Sequence, residues 1–590
     1  MNENIIESES ANSPRIYTFM DFFCGAGGFS EGFRQQGFKP VRGIDLWQPA
    51  INTHNLNFGL NDETKSVLDF EKDEEIEELE DTDIIIGSPP CVSFSMANKA
   101  GKADKSLGIR LIEAFLRVVA VKKHKKDTIL KAWYMENVPN SKNFVQKTYT
   151  FEDLNLSNWA EKNGIEKTKI ALNVQDNGEV LNSNHYGSPQ KRERFICGEF
   201  IQRDSKNNII SEEFVKPIKT HDLNTQIVLG NIRANIPSPL QKKNIKEQIV
   251  DPNYPSLKFP ISELTDHFYD SGLYEMEWEQ AQRAKQNHPF MGTMSFPENE
   301  NKPSRTVMAT RGGSTRESLI FKSEYKRSGD GEYRLPTIRE IATLMGFPYV
   351  FNFTGTESTK WKQIGNAVCP HMSFALGKAL KTKLDKNSVV EHNNIDFSLL
   401  IENNQKESKF NNLNTYKKKE FNKPPTRNAG SKFRRHFFKG GNMTVTLMNH
   451  SAVDKSINPG EDWLIYVFLG SGKNFQEISI KKDIFKDIEK FINSKLPNDY
   501  QNFLKESKEL CKNIPSSNLL QRLFEDNNRT SEYLDLETFF KKGSILIQKY
   551  RDNFNADNLV SQNILEEKEN IPLFQLLSMY LISLYRSKIK

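Results

Sequence analysis

A chain of 590 residues with 37% hydrophobic and 27% charged residues is too long for one ordinary core and has the composition of a globular protein of about two to four domains. A net charge of +5 is small for this length, so bulk charge selects no partner and local basic patches matter more. Five cysteines (Cys24, Cys91, Cys197, Cys369, Cys511) stand without CxxC pairs, which argues against a disulfide framework or a zinc knuckle and fits a reducing, cytoplasmic setting; no metal centre is expected, and no apolar run approaches the length of a membrane span.

Residues 1–15 are polar and acidic, unlike a signal peptide, and read as a disordered N-terminus. From 16 to 200, short apolar runs alternate with longer mixed segments, the βαβ rhythm of a mostly parallel sheet. Strands are expected at Ile16 to Phe23, Val41 to Asp45, Ser66 to Phe70, Ile84 to Ile86, Ala132 to Glu136, Lys169 to Val174 and Arg194 to Cys197. Helices are expected at Phe29 to Gln36, closed by Gly37, and at Leu107 to Val121. The rhythm is lost from about 200 to 300, a polar stretch rich in Asn, Lys and Pro. It returns near Pro303, with a helix carrying Ile338, Ile341, Leu344 and Met345 on one stripe, then a strand-like turn within Trp361 to Pro370 and a helix His371 to Lys383. Leu384 to Gly441 is linker-like. Between Gln405 and Gly440, eleven Lys and Arg face two Glu, with Phe410, Tyr416, Phe421, Phe433, Phe437 and Phe438 among them. That composition suits nucleic-acid contact and equally a solvated basic connector. Beyond it, strand patterns at Met443 to Leu447 and Trp463 to Leu469 precede mainly helical segments.

The chemistry centres on Gly87-Ser88-Pro89-Pro90-Cys91. The prolines stiffen a turn that holds one thiol at the carboxyl end of a strand, where open α/β sheets collect their sites. An isolated cysteine there is more often a small buried hydrophobe; its neighbours decide. Glu136 ends what reads as the adjacent strand, and a carboxylic acid beside a thiolate can protonate a substrate nitrogen while sulfur adds to carbon. Arg192 and Arg194 alternate, so they share one face and offer fork-like donors. Gly25, Gly27 and Gly28 let backbone approach a ligand closely, yet the turn is neither a Walker loop nor a dinucleotide fingerprint, since Ser30 stands where a third glycine would. Asp21, Asp45 and Asp69 lie near strand ends at even spacing; such carboxylates accept bonds from ribose hydroxyls or an amino group and repel pyrophosphate. A cationic nucleoside without phosphate fits best, and S-adenosylmethionine is the common one. Taken singly, each aspartate reads as well as a helix cap.

Six motifs in order resemble the C5-cytosine DNA methyltransferase family over residues 16 to about 380: Asp21 to Phe29, Gly87 to Cys91, Glu136-Asn137-Val138, Gln190 to Arg194, Arg334 to Glu340, and Gln363 to Val368. The resemblance implies an α/β fold, a Rossmann-like S-adenosylmethionine-dependent methyltransferase sheet with an inserted target-recognition domain, here followed by a mainly helical C-terminal domain. It divides residues 16–385 into a catalytic part (16–200), target recognition (201–302) and completion of the catalytic domain (303–385); a basic linker (386–441) and a C-terminal extension (442–590) of unknown role are not explained by it. It implies catalysis by Cys91, Glu136, Arg192 and Arg194. It implies that Phe23, Gly25, Gly27, Gly28, Asp45, Leu46, Asp69, Phe70, Pro90, Asn366, Ala367 and Val368 hold the cofactor. Ser95, Gln190, Arg305, Arg311 and Arg316 are expected on double-stranded DNA. Val92 stands where the family usually has a polar residue, and Leu46 where an aromatic often stacks on adenine.

The expected activity is methyl transfer to C5 of a flipped cytosine through a Cys91–C6 adduct, in a bacterial restriction-modification system with a cognate endonuclease acting at the same site. Two rivals remain: an RNA cytosine methyltransferase, against which the size of the 200–300 insert speaks, and a silent DNA-binding regulator, against which the joint presence of Cys91, Glu136, Arg192 and Arg194 speaks. A nuclease in the extension is disfavoured, because Glu461-Asp462 and Glu477 to Lys482 form no Asp…Glu-x-Lys pattern.

Overall fold

The structure, a computed structural model, describes residues 15–91, 94, 105–239, 247–273, 275–286, 292–324, 332–385 and 389–406, and then 434–440, 443–448, 463–469, 476–480, 486, 489–490, 500–517, 519–520, 533–534, 536–551, 559–560, 570–571 and 573–589. The chain divides into two compact units, Met1–Leu273 with Trp278–Lys418, and Tyr274–Glu277 with Lys419–Lys590.

The first unit is built on a seven-stranded sheet. In chain order its elements are β1 (Thr18–Phe22), α1 (Gly28–Gln35), β2 (Lys39–Ile44), α2 (Gln48–Phe58), α3 (Asp73–Glu77), β3 (Ile84–Gly87), α4 (Lys105–His124) and β4 (Ala132–Asn137). A small pair, β5 (Thr148–Thr150) and β6 (Ile170–Asn173), lies off the sheet, which continues with β7 (Gly178–Asn182), β8 (Glu193–Arg203) and β9 (Ile209–Glu213). The order is β2-β1-β3-β4-β8-β7, with β9 also on β8; β2, β1, β3 and β4 run parallel, and β8 is antiparallel to β4. Three consecutive isoleucines make β3 central: all four of its residues are buried, as a strand covered on both faces requires. Side-chain alternation sorts the two layers. Phe19, Ile84, Ile86 and Tyr134 pack with Phe29 and Phe33 of α1, while Met20, Phe22, Ile85 and Trp133 pack with Phe115, Val118 and Val119 of α4.

A charged knot sits in the second of these layers. Lys123 Nζ donates to Glu199 Oε2 at 2.7 Å, and so does Trp133 Nε1, while Asn173 N reaches Oε1 at 2.8 Å. Both ions are buried. Lys123→Met strands that carboxylate, and we expect a loss of about 3–5 kcal/mol, read as a lowered denaturation midpoint.

Three sequence expectations are corrected. Val67–Glu71 is a 3-10 turn, not a strand, with Ser66 Oγ accepting from Leu68 N; Val67 and Phe70 are its fully buried residues. Lys169 to Val174 does not join the main sheet, because β6 pairs with β5. Trp361 to Asn366 is helical, within Glu357–Asn366, and the next helix, Pro370–Leu384, opens on its proline. The sheet also reaches past residue 200, through β8 and β9. Residues beyond it share a core with the completion segment: Leu229, Tyr254, Leu264 and Tyr269 pack with Ile338, Ile341, Leu344, Phe347 and Phe351. The helix Ile338–Met345 starts on a Thr337/Glu340 capping box and stops at Gly346, φ 92°.

The second unit has a four-stranded antiparallel sheet of Arg434–Gly440, Met443–Met448, Leu464–Leu469 and Gln476–Ile480, in that order, with helices Tyr500–Leu510, Leu536–Arg551 and Leu573–Lys588. Its first strand begins inside the stretch read as basic linker. Phe438 is buried against Phe539 and Phe540, so this aromatic is core; Phe410, Tyr416, Phe421 and Phe433 lie outside the described residues. No described helix is long and apolar enough to cross a membrane.

Candidate active site

The carboxyl ends of β1, β2, β3 and β4 open onto a cavity of about 310 Å³. Three bonds shape its floor. After β3, Ser88 N donates to Phe22 O at 3.0 Å and Ser88 Oγ to Phe23 O at 3.1 Å, and Asn137 Nδ2 donates to Pro89 O at 3.1 Å. The Pro-Pro turn is thus tied to both neighbouring strands. It presents Cys91, half-buried, on the cavity wall with Pro90.

Glu136 and Arg194 face the same space. Arg194 Nε donates to Glu136 Oε1 at 2.8 Å, with both side chains largely buried. Burial pushes the Glu136 carboxyl above its ordinary range, against the pull of Arg194 and Arg192. Such a carboxyl holds its proton higher in pH than a free one, as a proton donor to a ring nitrogen needs.

Arg192 plays a different part from its alternate. It is buried, and its guanidinium is occupied by three carbonyls: Nη1 donates to Val307 O at 3.2 Å, and Nη2 to Gly365 O at 3.0 Å and Ala367 O at 2.9 Å. Burial first, then the neighbouring Arg194, brings it down to about 9. Arg192 borders the cavity chiefly as a brace for its wall, which leaves Arg194 as the better-placed donor.

Of the expected cofactor residues, Phe23, Gly25, Asp45, Leu46, Pro90, Asn366, Ala367 and Val368 line the cavity. Asp45 Oδ2 accepts from Gly25 N at 3.0 Å and Oδ1 from Trp47 N at 2.8 Å. Burial raises the carboxyl, against the backbone donors of Trp47, Gly25 and Leu46. Gly27 and Gly28 shape the loop from behind. A Cβ on Gly28 would stand 2.1 Å from Val368 O, so only glycine lets the loop meet the Asn366–Val368 edge. Asp69 and Phe70 are not on the wall: Asp69 is exposed, Phe70 belongs to the core, and Ser66 and Val67 of the same turn take their place. Asp21 is fully buried and turned away, bonded to Ser30.

Sequence reasoning missed Trp47, Ser66, Val67, Ser88, Lys362 and Gln363, all on the wall. The aromatic absent at Leu46 stands one residue later: Trp47 offers its ring, with Lys362 Nζ 4.7 Å from the centroid. A tryptophan two residues past Asp45 was the available signal.

The DNA-contact expectations fare unevenly. Gln190 is fully buried, its Oε1 accepting from Val307 N at 2.7 Å and its Nε2 donating to Leu344 O at 3.3 Å, so it cannot face a duplex. Arg305 is paired with Glu298, Arg311 with Glu357, and Arg316 donates to the carbonyls of Ala284, Lys285 and Gly292. These three are partly exposed but already bonded. Ser95 lies outside the described residues.

The lining fits a nucleoside cofactor: the Asp45 carboxylate, the Trp47 indole face, and backbone left open by glycine. Among the described residues no group of three or more His, Cys, Asp or Glu could hold a metal ion.

The chain is 27% identical over 371 residues to the type II methyltransferase M.HgiDI of Herpetosiphon aurantiacus, covering 62% of this chain and 95% of that one. It is 28% identical over 377 residues to M1.HphI of Haemophilus parahaemolyticus, covering 62% and 86%. Among solved structures, the S. pombe Dnmt2 methyltransferase aligns over 62% of this chain and 99% of its own at 15% identity and a TM-score of 0.37. A family model described as C-5 cytosine-specific DNA methylase matches residues 17–382, and the chain belongs to that family of DNA cytosine methyltransferases.

Proposed function

We propose that the chain methylates C5 of a cytosine turned out of duplex DNA at a specific sequence, through a transient bond from Cys91 to C6, with S-adenosylmethionine as donor. The observation that carries this reading is the convergence of Cys91, Glu136 and Arg194 on one cavity with Asp45, Trp47 and Asn366. Cytosine C5 is a poor nucleophile. Addition of the Cys91 thiolate at C6 makes it enamine-like, and Glu136 donates its proton to N3 as charge develops there. Arg194 holds both Glu136 and the O2 side of the ring. The bound cofactor supplies the methyl group on a sulfonium. Loss of the C5 proton to a base then lets Cys91 leave by β-elimination. The base must leave the stack first, at a cost of about a few kcal/mol.

Phe23, Asp45, Trp47, Pro90 and Asn366 to Val368 would hold the cofactor, with Asp45 on the ribose. Removing a charged acceptor of that kind costs about 1.5–3 kcal/mol. Asp45→Ala is therefore expected to weaken S-adenosylhomocysteine binding about 10–100-fold by calorimetry, with little change in DNA affinity.

Residues 201–302, with the arginine-bearing segment after them, carry sequence recognition in this reading. The relatives named as type II methyltransferases support a place in a restriction-modification system, with an endonuclease acting on the same site. The deciding experiment is transfer of a radiolabelled methyl group to duplex DNA and to tRNA, followed by bisulfite sequencing of DNA from cells that express the chain. Label on DNA at one recurrent motif is expected; label on tRNA alone would move the substrate to RNA, and none on either would leave a DNA-binding regulator.

A further inference from the structure

Three buried side chains behind the glycine loop take no part in the chemistry above. Asp21 on β1, Ser30 on α1 and His54 on α2 are each fully buried. Ser30 Oγ lies 2.6 Å from Asp21 Oδ2 and 3.0 Å from His54 Nε2, so one hydroxyl joins a carboxyl to an imidazole. Asp21 Oδ1 and His54 Nδ1 have no hydrogen-bond partner among the described residues.

The imidazole is also a wedge. A Cβ on Gly27 would stand 3.1 Å from its Cδ2, and one on Gly43 would stand 2.5 Å from its Nδ1. Gly27, at φ 91°, is the N-cap of α1 in the cofactor loop. Gly43 faces Asp21 across β1 and β2, two residues before Asp45. Phe58 holds the ring's other flank, centroids 4.6 Å apart. The placement of one ring therefore sets the distance between the glycine loop and the strand that delivers Asp45, whose Oδ2 binds Gly25 N.

We infer that Asp21, Ser30 and His54 form a positioning relay beneath the cofactor loop, and that the direction of its hydrogen bonds tunes how tightly the cavity holds its cofactor. This rests on reading the cavity as an S-adenosylmethionine site. The relay has two uncharged-histidine arrangements. With a carboxylic acid at Asp21, the acid donates to Ser30 and Ser30 donates to Nε2. With a carboxylate, Ser30 donates to Asp21 and His54 must present Nε2–H, the other tautomer. Burial pushes the Asp21 carboxyl up to about 8, against the hydrogen bond from Ser30, and brings His54 down to about 3. The other titratable groups beside the relay are Asp45 and Cys24, neither of which supplies a cation. The raised Asp21 carboxyl favours the acid arrangement at the lower end of the pH range. A carboxyl raised in the fold stabilises it most at low pH and loses that contribution as pH rises through about 8, where the wedge must change tautomer.

The test is calorimetric titration of the full chain with S-adenosylhomocysteine from about pH 6.5 to about pH 9.5, for wild type, Asp21→Asn and Ser30→Ala, with melting temperatures alongside. Asparagine still accepts from Ser30 and cannot ionise, and titration of the ligand cancels in the ratio of Kd values. Wild-type affinity is expected to fall through about pH 8 while Asp21→Asn stays level, so that their ratio changes several-fold. Ser30→Ala is expected to bind about tenfold more weakly at every pH. Should Ser30→Ala fail to fold, the Asp21→Asn ratio decides alone. A ratio that does not change with pH, or a folded Ser30→Ala with wild-type affinity, overturns the relay. A wild type that binds none of the probe at any pH overturns the cofactor reading, and the relay's role with it.

Discussion

Cys91→Ser will bind DNA about as well as the wild type and transfer no detectable methyl group to it. A serine hydroxyl is a far weaker acid than a thiol, so it offers almost no anionic nucleophile at neutral pH. The change removes about 10⁴-fold or more of turnover, the scale on which loss of a nucleophile acts. It leaves the turn intact, because the bonds that hold it run through Ser88, Pro89 and Asn137 rather than the side chain at 91. Tritiated methyl transfer and fluorescence anisotropy on one duplex measure the two halves of this expectation. A duplex carrying 5-fluorocytosine should trap the adduct at Cys91 in the wild type only, as mass spectrometry of the cross-linked peptide would read. Turnover by the serine variant, or a cross-link at another residue, would remove the thiol from the mechanism.

Glu136→Gln is the second severe variant. The amide oxygen can still accept from Arg194, so the fold tolerates the change; what is lost is the proton. General acid catalysis contributes about 10²–10⁴-fold, and turnover should fall by that amount with little effect on cofactor binding. The pH profile separates this from a packing defect. Because burial raises the Glu136 carboxyl, wild-type turnover that depends on its protonated form falls as pH rises through that shifted pKa. The glutamine variant should lack this limb, its residual rate flat where the wild type declines. A residual rate that keeps the limb would assign it to another group.

How legible was this in the residues alone? The strands with unbroken β-branched runs were plain, Ile84 to Ile86 above all, because burial on both faces leaves a continuous apolar run. Cys91, Glu136 and Arg194 were legible as neighbours because Cys91 follows that strand, Glu136 stands near the end of β4 and Arg194 near the start of β8. The turn at Val67–Glu71 misread as a strand for a physical reason: its two fully buried residues, Val67 and Phe70, are three apart, and over four residues that spacing cannot be told from a short apolar run. Gln190 and Arg192 misled differently. Polar residues beside a catalytic motif invite a substrate role, yet both bond to the backbone of a segment more than a hundred positions away, which no local pattern announces. The arginines at 305, 311 and 316 are also taken up within the protein, by Glu298, Glu357 and three carbonyls at shorter separations.

That long-range clasp bears on how target specificity could be exchanged between relatives. Val307 gives its N–H to Gln190 and its carbonyl to Arg192, while Trp361 Nε1 bonds the next carbonyl, Met308 O, at 2.9 Å. A chimera spliced downstream of Val307 imports a foreign segment into this clasp and unseats the arginine behind the cavity wall. One spliced before Ser304, whose own carbonyl accepts from Lys191 N at 2.9 Å, keeps the clasp, and must then match the core that Leu229, Tyr254, Leu264 and Tyr269 share with Ile338 to Phe351.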